Sequence, residues 1–236
     1  MTFLMVSFVA ITPAVSESLS EKEIKKLALE AILENPQIVM DAVNLLRERD
    51  EANKESLKKQ SYLDNKELLS SDPNAPTYGN PNADITIVEF FDYNCGYCKK
   101  SMDAVTELLR TEYDLKISFR DYPILSPSSR VAAKAALAAK EQGKYFVFHS
   151  ALMNMQGNLN DKKIYSLASK LDIDIKKLKI DMQKASIEKV IEKNEILAKK
   201  LDIRGTPTFI INGKLYAGAL ELNKLRQIIN NSLKKE

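Results

Sequence analysis

Apolar residues recur at helical spacing through residues 20–69. Ile24 and Leu27 lie on one helix face, and a second apolar stripe runs from Ile38 to Leu46. Asn35-Pro36 separates the stripes, because Asn can cap a new helix and Pro fits its first turn. The next stretch, RERDEANKESLKKQS, is polar on nearly every face. It therefore predicts a spacer helix that is exposed to solvent.

A stretch dense in Pro, Asn and Gly predicts a linker over residues 70–83. After this linker, the apolar residues no longer follow helical spacing. DITIVEFF (84–91) is almost continuously apolar, as expected of a strand buried on both faces. A helix is predicted from Cys95 onward, and LKISFRDYP (115–123) predicts a second strand.

Residues from 128 to about 200 are rich in Ala, Lys and Leu and carry no strand signal, so they predict a helical insertion. TPTFIINGKLYAG (206–218) predicts a hairpin, because Asn212-Gly213 suits a type I′ turn. A short amphipathic helix ends the chain. The element order predicts an α/β domain over 84–236, preceded by an N-terminal helical segment over 17–69.

The first sixteen residues carry no charged side chain and contain an apolar core too short to cross a bilayer. Ala14-Val15-Ser16 fits a cleavage site, so residues 1–16 predict a signal peptide cleaved near Ser16 and a periplasmic protein. The alternatives are a membrane anchor or a buried helix. Export places the chain in an oxidising compartment, where cysteine pairs can exist as disulfides.

The 236 residues are 44% hydrophobic and 28% charged, which is typical of a globular protein that can bury a core. Net charge is only +3, and acidic and basic residues are interspersed. This pattern argues against nucleic acid as a partner, because such proteins carry a basic patch or tail.

The chain's only two cysteines, Cys95 and Cys98, form a C-x-x-C pair. A tetrahedral zinc site needs about four ligands, but the sequence offers two Cys and His149. A c-type haem site needs His after the second cysteine, where this chain has Lys99. We therefore expect no metal and no cofactor, and interpret the pair as a redox-active dithiol; a structural disulfide is the alternative. His149 is interpreted as structural.

A helix that begins at Cys95 places this sulfur at the positive end of the helix dipole, which favours the thiolate. Cys98 lies one turn further and is less exposed. We therefore predict that Cys95 is the attacking nucleophile and Cys98 the resolving thiol. Glu89 shares a strand face with apolar residues, so burial should raise its pKa and suit it to accept the proton of Cys98. The alternative is that a bulge exposes Glu89.

These motifs resemble the thioredoxin superfamily, and within it the bacterial Dsb proteins. The resemblance covers residues 84–236: a strand, CGYC, a helix, a helical insertion, then GTPTF before a hairpin. It implies that Glu89 is the buried acid six residues before the first cysteine. It also implies that Pro207, preceded by Thr206, is a cis-proline beside the sulfurs, which leaves the Thr206 backbone free to pair with an extended substrate.

Gly96-Tyr97 between the cysteines, with Thr206 before the proline, is similar to the isomerase group, whereas the oxidase group typically has Pro-His. The helical N-terminal segment resembles that of ScsC-like proteins of the DsbA-like branch, which form trimers through it. The resemblance thus implies a homotrimeric disulfide isomerase, joined through residues 20–60. Its substrates would be misoxidised proteins, and a membrane reductase of DsbD or ScsB type would keep Cys95 reduced.

Two other functions use the same thiol pair. One is a monomeric DsbA-type oxidase, which donates its disulfide to substrates. The other is a copper-binding or metal-tolerance protein, since thiolates suit Cu(I), although no Met-rich or His-rich cluster accompanies the cysteines.

Overall fold

The computed structural model describes residues 19–110 and 114–233, so the predicted signal peptide lies outside the described residues. The helices are α1 (Glu21–Glu34), α2 (Gln37–Asp64), α3 (Lys66–Ser71), α4 (Gly96–Arg110), α5 (Pro127–Lys140), α6 (Tyr145–Met153), α7 (Asp161–Lys170), α8 (Ile175–Asp181), α9 (Ala185–Lys200) and α10 (Leu222–Leu233). The strands are β1 (Thr77–Gly79), β2 (Ile85–Phe91), β3 (Leu115–Asp121), β4 (Thr208–Ile211) and β5 (Lys214–Ala217). The chain divides after Lys54 into an N-terminal unit and a C-terminal unit.

The N-terminal unit holds α1 and the first part of α2. Ser20 and Glu23 form a capping box at the start of α1, and the helix ends before Asn35-Pro36, as the sequence predicts. The apolar side chains of both helices remain exposed: Ile24 is 54% exposed and Leu46 is 60% exposed. No described residue of this unit is buried. That these side chains contact other copies of the chain stays a prediction.

The C-terminal unit is built on a five-stranded mixed sheet in the order β1-β3-β2-β4-β5. β2 and β3 are parallel and joined through α4, while the other three pairings are antiparallel. The register sets Glu89 opposite Phe119 and Phe91 opposite Asp121. Helices α5 to α9 lie between β3 and β4 in the chain, which confirms the predicted helical insertion.

The β4–β5 hairpin turns at Asn212-Gly213, with φ angles of 45° and 75°. Both residues have positive φ, as a type I′ turn requires, so the predicted turn is confirmed. Strand β1 was not predicted: it lies within the segment 70–83 that the sequence assigns to a linker, and pairs with β3. Three exposed residues carry too weak a pattern to predict a strand.

Side chains on the two faces of the sheet enter different cores. Ile87, Phe91 and Phe119 join α4 and the insertion helices in the larger core. Val88 and Phe90 pack with Leu69 and Leu197 in the smaller one. Because successive strand residues point to opposite faces, Arg120 lies on the face opposite Phe119 and Asp121.

Arg120 is fully buried and connects α3 to this smaller core. Its Nη1 donates to Asp72 Oδ2 at 3.1 Å, and its Nη2 donates to the Leu69 carbonyl at 3.0 Å. Lys193 also binds Asp72 Oδ2, at 2.9 Å. Through Asp72 and the Leu69 carbonyl, Arg120 therefore holds the C-terminal end of α3 against the sheet.

We expect Arg120→Met to lower the free energy of unfolding by ~1–3 kcal/mol, because the buried Leu69 carbonyl loses its donor and Asp72 keeps only Lys193 as its cationic partner. Arg204→Met is the control, since Arg204 makes an exposed ion pair with Asp202, and it should leave stability unchanged. Urea unfolding of the two variants measures this difference. Equal stabilities would show that the buried pair does not hold α3.

Candidate active site

Cys95 immediately precedes α4, and its sulfur caps that helix. The backbone N–H of Cys98 donates to Cys95 Sγ at 3.4 Å, which is the contact that a capping side chain makes with the third helical residue. Lys99 N donates to the Cys95 carbonyl at 3.1 Å, so Cys95 already contributes to the helix. The sulfur thus lies at the positive end of the α4 dipole, as predicted.

The hydrogen bond from the Cys98 thiol is the largest cause that lowers the pKa of Cys95, to about 5. The backbone N–H groups of Cys98 and Tyr97 act in the same direction. Burial opposes them, whereas the Thr206 side chain also lowers the pKa. In its thiol form, Cys95 Sγ donates to the Thr206 carbonyl at 3.2 Å. A sulfur with this pKa is a thiolate at neutral pH, which is the nucleophilic form.

Cys98 differs from Cys95 in both position and charge state. It is 1% exposed, and burial raises its pKa far above that of a free thiol. Its hydrogen bond to Cys95 and the negative charge of Glu89 add to the shift. The pair therefore joins a thiolate to a thiol that cannot ionise alone, and Cys98 needs a base to attack.

Glu89 lies on β2 and is 2% exposed, so the bulge alternative does not hold. Burial, together with the charge of the Cys95 thiolate, raises the pKa of Glu89 to about 8. A carboxyl group with this pKa can accept and release a proton near neutral pH. Its role as the proton acceptor for Cys98 stays a prediction.

The loop before β4 closes the other side of Cys95. The Thr206–Pro207 peptide bond is cis, as the resemblance implies. Pro207 is buried, and its carbonyl accepts from Gly218 N at 2.8 Å. This bond fixes the loop against the end of β5, so that the Thr206 carbonyl stays beside the Cys95 sulfur.

The two residues between the cysteines form the first turn of α4 and face outward. Tyr97 is 64% exposed, and a Cβ at Gly96 would meet no atom within 4 Å. Tyr93, by contrast, is 1% exposed and belongs to the core. Of the two tyrosines near the cysteines, only Tyr97 can contact a substrate.

Asp121 is a buried acid that the sequence analysis missed. Burial is the largest cause that raises its pKa to about 8, and the charge of Asp92 adds to it. Tyr145 Oη donates to Asp121 Oδ2 at 3.4 Å, while Tyr93 Oη lies 3.0 Å from His149 Nδ1. The signal was an acid that shares a strand face with Ile117 and Phe119, which is the kind of signal that identified Glu89.

His149 is fully buried, and burial lowers its pKa to about 3, so it is neutral at neutral pH. Its ring contacts Phe91, Phe119 and Tyr145, which agrees with the structural role expected for it. Within residues 19–110 and 114–233, no three Cys, His, Asp or Glu side chains lie together as metal ligands. The same residues include no helix that is both long and apolar enough to cross a membrane.

Comparison with protein families matches residues 71–231 to the thioredoxin model. The chain belongs to the thioredoxin family. A thioredoxin-like oxidoreductase from Silicibacter pomeroyi is 40% identical, with a TM-score of 0.70, and the match covers 72% of this chain and 98% of that one. The thiol-disulfide exchange protein alpha-DsbA2 of Wolbachia pipientis is 32% identical, with a TM-score of 0.70, covering 76% and 97%. ScsC of Proteus mirabilis is 26% identical, with a TM-score of 0.69, covering 92% and 96%.

Curated relatives of this thioredoxin-family chain include a disulfide bond formation protein and much longer antiporters. Disulfide bond formation protein D of Bacillus subtilis is 26% identical over 67% of this chain and 77% of its own length. A Na(+)/H(+) antiporter NhaA of Salinispora arenicola is 29% identical over 70% of this chain, but the match spans only 26% of that longer protein. The dithiol and the family together support thiol–disulfide oxidoreductase chemistry of the DsbA and ScsC type.

For the reduced protein, we expect the Cys95 thiolate to form with a midpoint near pH 5, because donors from α4 and Cys98 stabilise it. Cys98→Ala should raise the midpoint by removing the thiol donor, whereas Cys98→Ser should raise it less because its hydroxyl still donates. Ultraviolet thiolate absorbance against pH measures both, with Cys95→Ser as the baseline. A midpoint near the ordinary value of 9.0 would contradict this account of the site.

The raised pKa of Glu89 leads to a second prediction, which concerns the pH dependence of the free energy of unfolding. Its folded pKa of about 8 lies above the ordinary 4.5, so the folded state loses stability as pH rises between these values. Glu89→Gln removes this loss and should stabilise the protein relative to the parent, on the order of 4 kcal/mol more at pH 8 than at pH 4.5. Urea unfolding across this range, with the exposed Glu192→Gln as control, measures it. A pH-independent difference would mean that Glu89 is not buried in its acid form.

Proposed function

We propose that this protein is a periplasmic disulfide isomerase that acts on misoxidised exported proteins. The reduced Cys95 thiolate attacks a wrong substrate disulfide, which forms a mixed disulfide and releases one substrate thiolate. A different substrate thiolate then attacks the mixed disulfide, forms the correct bond and frees Cys95. The cycle transfers no net electrons.

The observation that carries this proposal is the unequal pair of thiols beside Thr206. Cys95 is reactive without activation, so attack on the substrate is fast, while Cys98 is held as a thiol until Glu89 takes its proton. Because Cys98 attacks the mixed disulfide slowly, the substrate has time to rearrange its disulfides while it is bound to Cys95. When Cys98 attacks the mixed disulfide, the proton of its thiol passes to Glu89. A Cys95–Cys98 disulfide forms, and the substrate is released in its reduced form.

The isomerase must stay reduced, so the proposal includes an electron donor. A disulfide formed by Cys95 and Cys98 has to be reduced by a thiol donor of DsbD or ScsB type in the membrane, which provides two electrons and two protons. Export through the predicted signal peptide, residues 1–16, would bring the protein to that donor and to its substrates.

Assembly into a trimer through residues 20–60 is the second part of the proposal. Ile24, Leu27 and Ile38 are each about half exposed, and in water such stripes gain free energy by packing against one another. Three chains would bring three dithiols to one substrate. The match to ScsC covers 92% of this chain, so it takes in at least part of this segment.

A DsbA-type oxidase is the second candidate, favoured by the similarity to alpha-DsbA2 and to disulfide bond formation protein D. It would use the same pair in the opposite direction. A thiolate with a pKa near 5 stabilises the reduced form of the protein, which makes its disulfide oxidising.

The test compares the chain from Glu17 with a chain that starts at Glu55, in the refolding of a substrate with scrambled disulfides in glutathione buffer. The shorter chain keeps the C-terminal unit, including Asp72 and its bond to Arg120. We expect only the longer chain to restore substrate activity, and to do so as a trimer by mass in solution. If both chains fail but oxidise a reduced substrate well, the protein is an oxidase.

A point variant tests assembly within the full chain. Leu27→Glu places a charge in the apolar stripe and should dissociate the trimer and abolish isomerisation, while the thiolate midpoint stays unchanged. Lys25→Glu, an exposed position on the same helix, is the control and should keep both. A parent chain that is monomeric at all concentrations would exclude the trimer.

A further inference from the structure

The residues on either side of CGYC, Asn94 and Lys99, both bind the same loop. Lys99 Nζ donates to the Met155 carbonyl at 2.6 Å and to the Gly157 carbonyl at 3.1 Å. Asn94 Oδ1 accepts from Leu159 N at 2.8 Å. The loop 155–159 is thus held from both ends of the active-site motif, although it lies about sixty positions further along the chain.

A second lysine binds the alternate carbonyls of this loop. Lys163 Nζ donates to the Asn158 carbonyl at 2.9 Å and to the Gln156 carbonyl at 3.3 Å. Four consecutive carbonyls therefore face two ammonium groups. Burial is the first cause that lowers the pKa of Lys99, and the charge of Lys163 is the second. The loop carbonyls offset the repulsion between these two cations, so loop and lysines hold each other in place.

Asn94 itself is fixed by its other contacts. Its backbone N donates to Asp92 Oδ1 at 2.7 Å. Its Nδ2 lies 3.0 Å from each of three hydroxyl oxygens at the start of α5, those of Ser126, Ser128 and Ser129. Because Asn94 directly precedes Cys95, the loop cannot shift without disturbing bonds next to the nucleophile.

The loop is bonded to the residue before Cys95 and to the residue after Cys98, so it lies at the edge of the active-site motif. Lys99 is four residues after Cys95, and residues four apart share a helix face. The inner residue Leu159 is buried, at 3% exposed, whereas Gln156, Gly157 and Asn158 are exposed. The outer part of the loop thus carries two exposed side-chain amides at the edge of the active-site motif. Amides both donate and accept, so they can bind the backbone of any extended chain.

We propose that the loop 155–159 is a polypeptide-binding lip of the active site, and that Asn94 and Lys99 are the positioning residues that hold it there. The ligand is an extended segment of the protein substrate, bound through its backbone N–H and C=O groups. The carbonyls of residues 155–158 already accept hydrogen bonds from Lys99 and Lys163. The side-chain amides of Gln156 and Asn158 are therefore the groups that bind the substrate backbone. This inference rests on the proposed thiol–disulfide function.

The first experiment uses the reduced full chain, with dithiothreitol as the dithiol that re-reduces it after each turnover and with the uncatalysed rate subtracted. The two disulfides are oxidised glutathione and an unfolded polypeptide with a single disulfide. Gln156→Ala/Asn158→Ala should raise KM for the polypeptide about tenfold, equivalent to ~1.4 kcal/mol. Its kcat and its rate with glutathione should stay unchanged. Asn154→Ala is the control, because its exposed side chain bonds within α6 and lies just outside the lip.

The second experiment tests the positioning residues. Lys99→Gln should raise the same KM and speed amide hydrogen exchange at residues 155–159, while Lys99→Arg should restore both. Lys100→Gln removes the same charge one residue further, where Nζ lies over the Tyr97 ring, and should leave exchange in the lip unchanged. The KM effects of Lys99→Gln and Asn94→Ala should not add, because both release the same loop.

Equal effects on both disulfides, or a shift in the Cys95 midpoint in Lys99→Gln, would mean that Lys99 acts on the thiolate and not on binding. An unchanged polypeptide KM in the lip variant would overturn the lip itself. If the parent chain reacts with neither disulfide, the proposed function fails first, and the two failures are distinguishable.

Discussion

The parallel register of β2 and β3 decides where the buried charges of the C-terminal unit lie. With Glu89 opposite Phe119 and Phe91 opposite Asp121, both acids face the core that contains the cysteines. Arg120, one residue away, faces the opposite core and binds Asp72. A slip of one residue would exchange these faces and bury unpaired charges on both. One pairing of strands therefore positions the candidate proton acceptor and attaches α3.

The site works by giving two chemically identical thiols different surroundings. Cys95 lies at a helix end, where N–H groups have no helical partner. Cys98 lies one turn further in, where it is almost fully buried and close to Glu89. The helix end stabilises a negative charge, and the core excludes one. The same chain thus contains an ionised thiol, an un-ionised thiol and a carboxyl group that titrates near neutral pH, all within a short stretch of sequence.

Local patterns in the sequence predicted the elements and the reactive pair, because each depends on neighbours in the chain. The helix start at Cys95, the turn at Asn212-Gly213 and the buried acid at Glu89 are all of this kind. The missed features depend on long-range contacts. Lys99 appears in the sequence as an ordinary helical lysine, and its bond to the Met155 carbonyl follows only from how α6 folds back on α4. The pairing of Arg120 with Asp72 spans 48 positions, and no local pattern contains it.

The burial of His149 determines which side chains of this protein titrate near neutral pH. It is the only histidine in the chain, and burial has removed it from the range in which imidazole normally buffers. Glu89 and Asp121 take over that range, because burial has moved both carboxyl groups into it. Although its imidazole does not titrate in this range, the protein would still change its charge with pH through these two carboxyl groups. Reagents that modify histidine should leave the titration of Glu89 and Asp121 unchanged. Carboxyl bands in the infrared spectrum should report this titration.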